Sequence, residues 1–313
     1  MTPLPTPQQL RYLVTLADTQ HFGRAAAACA VSQSTLSAGI LAMERQLDIA
    51  ILDRGGARRA VFTAPGLDIV ARSRTALQAL GAVNEAAAAA RAPMSGPLRL
   101  GVIPTIGPFL LPRLMPALRA AFPQLRLFLR EDMTQRLLER LEAGRLDALL
   151  LALPCECAGA ETLEVLRDEF VVALPPGHPL AARERVPAAA LATERLLLLE
   201  EGNCLRDQAL AACQGMAGGD GFAATSLHTL VQMVAGGLGV TLLPQLAVEG
   251  GVTAGADVAL RPLEGRGAWR SLGLAWRANA PRAADYRALG PVLAASAAGL
   301  DRPGLCPKPH QRP

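Results

Sequence analysis

The chain has 313 residues, 51% of them hydrophobic, with six cysteines and a formal net charge of +4, a mean hydropathy of +0.26 and a pI near 8.9. That length accommodates two or more domains with cores of their own; much of the apolar content is alanine and no apolar run reaches the roughly 20 residues of a membrane span, which excludes an integral membrane protein built of helices. Six cysteines are too few for a disulfide scaffold, and residues 1–7 lack a basic region followed by an apolar core, so a cytoplasmic protein is expected, in which an oxidisable thiol pair is catalytic or redox-sensing.

Lys308 is the sole lysine, so almost all positive charge is carried by arginine, whose planar fork suits phosphate and carboxylate contacts. The mild basicity is compatible with an anionic partner without demanding one.

The first ninety or so residues are helical in pattern. Residues 21–37 have the build of a helix-turn-helix: small alanines allow the first helix to pack closely, and Ser32 can cap the second. The start of that second helix presents Gln33, Ser34, Thr35 and Ser37, while Leu36, Ile40 and Met43 fall on the inward face. Polar side chains at such a helix N-terminus can read base edges and hold phosphates. A glycine-punctuated break from Arg54 to Thr63 reads as a two-stranded wing carrying Arg58 and Arg59. Thr63 then caps a long alanine-rich helix with Pro65 in its first turn. Its apolar positions Leu67, Val70, Leu77, Leu80 and Val83 predict pairing with a second copy of itself. Residues 93–97, containing two prolines and a glycine, end it in a hinge.

Beyond residue 97 short apolar strands alternate with helices. Strands are expected over 98–102, 125–131, 148–153, 170–174, 196–199, 223–225, 240–243 and 271–276, which implies α/β architecture with mainly parallel sheets. Ligand sites in such sheets lie beyond strand carboxyl ends, making Thr105 and Ser226 natural pocket residues. Cys155 and Cys157 follow one strand end; as two thiols without further ligands they make an incomplete metal site and are expected to be structural or incidental, so no metal and no cofactor is assigned. The proline-rich tail from 301 to 313 is expected to be disordered.

The most informative stretch runs from Glu200 to Cys213. Gly202 and Asn203 can cap a helix whose first turn holds Cys204, with Arg206 and Asp207 close in sequence, and Cys213 lies nine residues on. A helix there separates the two thiols by about 13 Å, whereas a disulfide needs Cα atoms within about 7 Å. Joining them must therefore unravel the helix. The helix dipole and a nearby cation are expected to favour the Cys204 thiolate, which an oxidant can take to a sulfenic acid. Cys213 is the candidate second thiol to condense with it, and the glycine-rich residues 215–221 supply freedom for the rearrangement. Either cysteine alone reads as a small buried hydrophobe; the surrounding motif favours chemistry.

Leu10, Leu13, Phe22, Ala25, Ala26, Val31, Ser32, Gln33, Thr35, Leu36, Ser37, Ile40, Glu44, Leu47, Leu52, Arg54, Thr63 and Gly66 together resemble the winged helix-turn-helix of LysR-type transcriptional regulators. Asp48 stands where that family usually has glycine. The resemblance implies that residues 33–37 enter the major groove, with Arg54, Arg58 and Arg59 near wing phosphates or the minor groove of double-stranded promoter DNA. Residues 102–112, 202–213, 224–227 and 239–244 are similar to the peroxide-sensing members of the family. They imply a two-lobed effector domain like type 2 periplasmic binding proteins, with crossovers near 165–170 and 268–273.

On this reading the domains are a winged helix-turn-helix (1–63), a linker helix (64–92), the hinge (93–97) and the effector domain (98–300). Lobe I comprises 98–167 and 271–300, and lobe II 168–270. The resemblance further implies that Thr105 and Thr134 bind peroxide, that Asp207 supports the pocket and Arg270 flanks it, and that a reversible Cys204–Cys213 disulfide is the switch. Asn203 replaces the histidine of well-known relatives and cannot titrate. The expected molecule is a homo-oligomeric, non-enzymatic regulator of oxidative-stress genes, a dimer of dimers on DNA, with hydrogen peroxide as signal and RNA polymerase as a candidate contact. A regulator sensing a metabolite in the interlobe cleft and a thiol peroxidase are the alternatives.

Overall fold

The computed structural model of the chain describes residues 4–53, 60–155, 157, 159–213, 223–265 and 267–298. Two compact units, Met1–Ala87 and Ala88–Pro313, divide it.

In the first unit, α1 (Pro7–Thr19) starts at a capping box in which Thr6 and Gln9 satisfy each other's backbone N–H groups. Helices α2 (Phe22–Ala28) and α3 (Gln33–Leu47) meet at 99°, within the range of a helix-turn-helix. Ser32 caps α3 by accepting the Thr35 N–H at 3.1 Å. Leu36, Ile40 and Met43 are buried as the periodicity requires. Asp48 ends α3 at φ +52°, a left-handed conformation that aspartate tolerates better than most residues, and this explains how the departure from glycine is accommodated. Buried Glu44 accepts the N–H groups of Ile51 and Leu52 at 2.9 and 3.0 Å, which ties α3 to the wing strands β1 (Leu52–Asp53) and β2 (Val61–Phe62), an antiparallel pair.

Helix α4 (Ala64–Arg91) follows; the Thr63 hydroxyl accepts the Gly66 N–H at 3.0 Å. A Cβ on Gly66 would collide with the Ile51 carbonyl. Val70, expected on a self-pairing face, is instead only 5% exposed and packs with Leu13, Met43 and Ile51. Leu67, Leu80 and Val83 are exposed.

The second unit contains β3 (Gly96–Val102), α5 (Gly107–Ala121), β4 (Leu125–Glu131), α6 (Thr134–Glu142), β5 (Ala148–Leu153), β6 (Ala160–Leu174) and β7 (Val186–Pro187). Then come β8 (Leu198–Leu199), α7 (Cys204–Ala212), β9 (Ala223–Ala224), α8 (Leu227–Ala235), β10 (Thr241–Pro244), α9 (Gln245–Glu249), β11 (Ala259–Glu264), β12 (Trp269–Arg277) and α10 (Ala283–Ala298). The main sheet has the order β4-β3-β5-β12-β6-β11-β7, with β10 also on β6, and β8 pairs β9 separately.

The sheet is mixed, which corrects the expectation of mainly parallel pairing. Strands β3, β4 and β5 are parallel neighbours, but β12 is antiparallel to both β5 and β6, and β10 and β11 are antiparallel to β6. The cause is the length of β6. Its first part pairs with β12 up to Glu169, and from Phe170 onward it pairs with β10 and β11, so one strand serves both lobes.

Residues 93–97 are tied down. Buried Arg282 donates from Nη1 to the Pro97 carbonyl at 2.6 Å and from Nη2 to the Ser95 carbonyl at 3.0 Å. Its Nε reaches Asp285 at 2.8 Å, and the other Asp285 oxygen accepts the Met94 N–H at 3.2 Å. Among the described residues no single helix is long and apolar enough to cross a membrane.

Candidate functional site

Asn203 is the N-cap of α7: its side-chain oxygen accepts the Leu205 N–H at 3.1 Å, and the residue is 5% exposed. This cap places Cys204 as the first helical residue, half-buried, while Cys213 is the C-cap and buried. Both thiols are free. Nine positions apart along an intact helix, the sulfurs sit at opposite ends of a rod roughly 13 Å long, so this is the reduced arrangement.

Thr134 opens α6, and its hydroxyl hydrogen-bonds the Cys204 sulfur. The start of α6 is held in turn by Asp132, which accepts the Met133 N–H at 3.1 Å and is ringed by Arg130, Arg136 and Arg140. Burial raises the Asp132 carboxyl, but the Arg130 hydrogen bond, the Met133 N–H and the arginine charges bring it below the ordinary carboxylate range.

Arg270 is the cation that acts on Cys204, and it is 3% exposed. Its Nε donates to Asp168 Oδ2 at 2.9 Å, Nη1 to Thr105 Oγ1 at 2.9 Å and Nη2 to the Thr105 carbonyl at 3.1 Å. The other Asp168 oxygen accepts the Leu246 N–H at the start of α9, at 2.9 Å. Both members of the Arg270–Asp168 pair have side chains 1% exposed. The guanidinium therefore cannot swing, and Thr105 is fixed through it; having accepted from Arg270, the Thr105 hydroxyl keeps its own O–H to donate.

The structure thus brings Cys204, Thr134 and Arg270 together, with Thr105 attached through Arg270 and the exposed Asp207 acting on the thiol by charge. Arg206, the cation expected from sequence to assist Cys204, instead donates to the Leu199 carbonyl at 3.1 Å. The expected favouring of the thiolate is also corrected. Burial raises Cys204 above its ordinary value more than Arg270 and the Thr134 hydrogen bond lower it, and Asp207 raises it further. Burial alone raises Cys213. Arg270 and Thr134 limit the penalty that burial places on ionising Cys204.

Asp168 was not foreseen. It follows Arg167 in a charged stretch with no helical or strand period, and only the β6–β12 register, which sets Arg270 opposite Asp168, reveals the pair. Ser226 proves to be the N-cap of α8, accepting the Thr229 N–H at 3.2 Å. His228 stacks on Phe109 with ring centres 5.7 Å apart. His178 caps a short 3-10 helix, and Cys29 packs in the core of the first unit. Cys155 and Cys157 are bonded to each other, a pairing absent from the sequence reading. The glycine-rich residues 215–221 lie outside the described residues.

On the first unit Ser32, Gln33, Ser34, Thr35 and Ser37 form an exposed polar row at the start of α3. Arg54, Arg58 and Arg59 lie outside the described residues, although the strands that flank them are present.

Comparison with known proteins covers both units. Residues 7–67 match the bacterial regulatory helix-turn-helix of the lysR family, and residues 91–298 match the LysR substrate binding domain. The DNA-binding transcriptional dual regulator OxyR of Escherichia coli K12 is 42% identical over 291 residues, which is 92% of this chain and 94% of that protein. A full-length OxyR cysteine-to-aspartate variant from Pseudomonas aeruginosa superposes with a TM-score of 0.76 at 37% identity, covering 93% of this chain and 98% of that one. A hydrogen-peroxide-bound cysteine-to-serine OxyR from Corynebacterium glutamicum gives 0.65 at 31% identity, covering 95% and 94%. From its helix-turn-helix to its effector domain, this chain belongs to the LysR family of bacterial DNA-binding regulators, with OxyR proteins among its relatives.

Proposed function

We propose that this chain is a cytoplasmic, hydrogen-peroxide-sensing transcriptional regulator of oxidative-stress genes, switched by a reversible Cys204–Cys213 disulfide. The observation that carries the reading is a thiol at a helix start, hydrogen-bonded by Thr134 and faced by a pinned Arg270, with a second free thiol at the other end of the same helix. The relatives named as OxyR, one solved with peroxide bound, support it.

The chemistry is balanced over two steps. The Cys204 thiolate attacks one peroxide oxygen, the O–O bond breaks, and the departing hydroxide takes up a proton to leave as water; Cys204 becomes a sulfenic acid. Thr105, Thr134 and Asn203 are the hydrogen-bonding groups assigned to hold peroxide, with Asp207 supporting the pocket and Arg270 stabilising the anionic sulfur. The Cys213 thiolate then attacks that sulfur, the S–O bond breaks, and a second water leaves. Both electrons reach peroxide from the two thiols. Because α7 holds these thiols apart, the second step requires the helix to open, and the rebuilt segment shifts how effector domains pack.

The domains assigned above are retained as part of this reading. Ser32, Gln33, Ser34, Thr35 and Ser37 are assigned to the major groove, and Arg54, Arg58 and Arg59 to the wing contacts. The exposed Leu67, Leu80 and Val83 of α4 support pairing with a second copy, and a dimer of dimers on promoter DNA, with RNA polymerase nearby, completes the assignment.

Alkylation of free thiols after graded peroxide exposure, followed by mass spectrometric mapping in the wild type and in Cys213→Ser, tests the switch. The expected product is a Cys204–Cys213 bond in the wild type and a trapped Cys204 sulfenic acid in the variant. Two free thiols persisting at those positions would sink the reading and leave a cleft metabolite as the signal. Footprinting with Gln33→Ala tests the DNA face: unchanged affinity and selectivity would remove the groove assignment.

A further inference from the structure

The effector unit contains a second sulfur pair that the peroxide chemistry does not use. Cys155 and Cys157 are joined to each other, with Cα atoms 5.2 Å apart, well inside the 4.4–6.8 Å that a disulfide accepts. The Cys157 N–H donates to the Cys155 carbonyl at 2.8 Å, and the Ala160 N–H to the Cys157 carbonyl at 3.1 Å. Both residues are half-buried and pack against the main core on one side. The pair follows β5, whose last residue Leu153 sits opposite Ser271, the neighbour of Arg270.

The two sulfur pairs differ physically. Closing Cys204–Cys213 must dismantle α7, whereas closing Cys155–Cys157 requires no change of secondary structure. A dithiol already held together converts a mixed disulfide into an internal one rapidly, because its second thiol attacks at high effective concentration.

We propose that Cys155 and Cys157 form a second thiol–disulfide couple, which exchanges with low-molecular-weight disulfides of the glutathione type independently of the peroxide switch. One cysteine, as thiolate, attacks a sulfur of the disulfide oxidant; the oxidant's S–S bond breaks, one small thiolate leaves, and a mixed disulfide forms. The other cysteine attacks the protein sulfur of that mixed disulfide and expels the second small thiolate. The two protein thiols are oxidised, the oxidant is reduced to two thiols, and the cysteine protons pass to them. The reverse sequence, driven by excess small thiol, reopens the couple. Its oxidation closes a small ring within the connection between β5 and β6.

The test uses the full-length protein in glutathione and glutathione disulfide buffers of graded ratio, without peroxide, quenched in acid, alkylated and digested with trypsin. Cleavage after Arg145 and Arg167 gives one peptide that contains Cys155 and Cys157 but neither Cys204 nor Cys213, so failure here and failure of the peroxide switch are read separately. The expected result is a single two-electron transition, from a doubly alkylated peptide to one lacking two hydrogens, with a midpoint unchanged in Cys204→Ser. In Cys155→Ser or Cys157→Ser, at least one variant halts as a glutathione adduct on the remaining cysteine. A peptide doubly alkylated at every ratio, a glutathione adduct as the wild-type end product, or absence of any adduct in both single variants would each overturn the proposal.

Discussion

Replacing Thr134 by valine keeps the side-chain shape and removes a hydroxyl whose hydrogen bond lowers the Cys204 thiol. Hydrogen bonds to charged groups contribute about 1.5–3 kcal/mol, and each 1.4 kcal/mol is about a factor of ten. The thiolate fraction of Cys204 at neutral pH should therefore fall roughly 10- to 100-fold. Thr134 is half-buried at the first position of α6, with no burden on the core, so thermal melting should barely move. The assay is the second-order rate of Cys204 oxidation by hydrogen peroxide across pH. Since Cys204 is raised above its ordinary value, the wild-type rate should climb tenfold per pH unit through neutrality, as the reactive thiolate grows. Thr134→Val should climb in parallel from a lower start, and the two curves should converge at alkaline pH, where both thiols are ionised. Superimposed curves would refute the thiolate argument, and a constant deficit persisting into alkali would assign Thr134 to peroxide alone.

Four further outcomes follow from the same geometry. Arg270→Met leaves Asp168 buried without its charge partner, so stability in urea should fall by about 3–5 kcal/mol, and peroxide oxidation should slow because the cation favouring the thiolate is gone; adding Asp168→Asn should restore part of the stability and none of the rate. Asn203→His should keep the α7 cap, since His21 and His178 already cap helices in this chain through their ring nitrogens, and should speed oxidation near neutral pH by supplying a titratable group; equal rates would make the asparagine neutral. Asp48→Gly should stabilise the first unit by up to about 1 kcal/mol by relieving its left-handed conformation, read as a higher melting temperature with unchanged DNA footprint. Gly66→Ala should cost more than about 2 kcal/mol through its clash with the Ile51 carbonyl, and an unaltered melting curve would contradict the close approach.

The legible parts of the molecule are those whose signals are local. The caps at Ser32, Thr63 and Asn203, the inward positions Leu36, Ile40 and Met43, the leucine-rich strand at 125–131 and the uniformly apolar strand at 148–153 each declare themselves within a few residues. What escaped depends on register and burial. The first part of β6, from Ala160 to Glu169, mixes charged and apolar residues without a regular period and ends in three consecutive charged residues, and β11 contains Pro262, so neither carries a strong strand signature. The strands at 240–243 and 271–276 are expected from sequence, but their antiparallel pairing with β6 is a matter of register that no local signal carries. Arg206 is near Cys204 in sequence, yet Arg270, from a distant strand, is the guanidinium that acts on it. Proximity along the chain could not distinguish them. The protonation state of Cys204 was misjudged for the same reason: the helix start and a cation are visible in sequence, but burial, the largest influence, is tertiary.

The placement of Cys213, buried at the far end of α7, turns the switch into a clock. A sulfenic acid formed on Cys204 waits for the helix end to open, and during that wait any small thiol that diffuses in competes for the same sulfur. The ratio of internal disulfide to externally capped Cys204 is then a stopwatch for helix opening. Substitutions that loosen the last turn of α7 should shorten the interval and favour the internal product, while those that strengthen it should divert peroxide-treated protein towards capped, unswitched molecules.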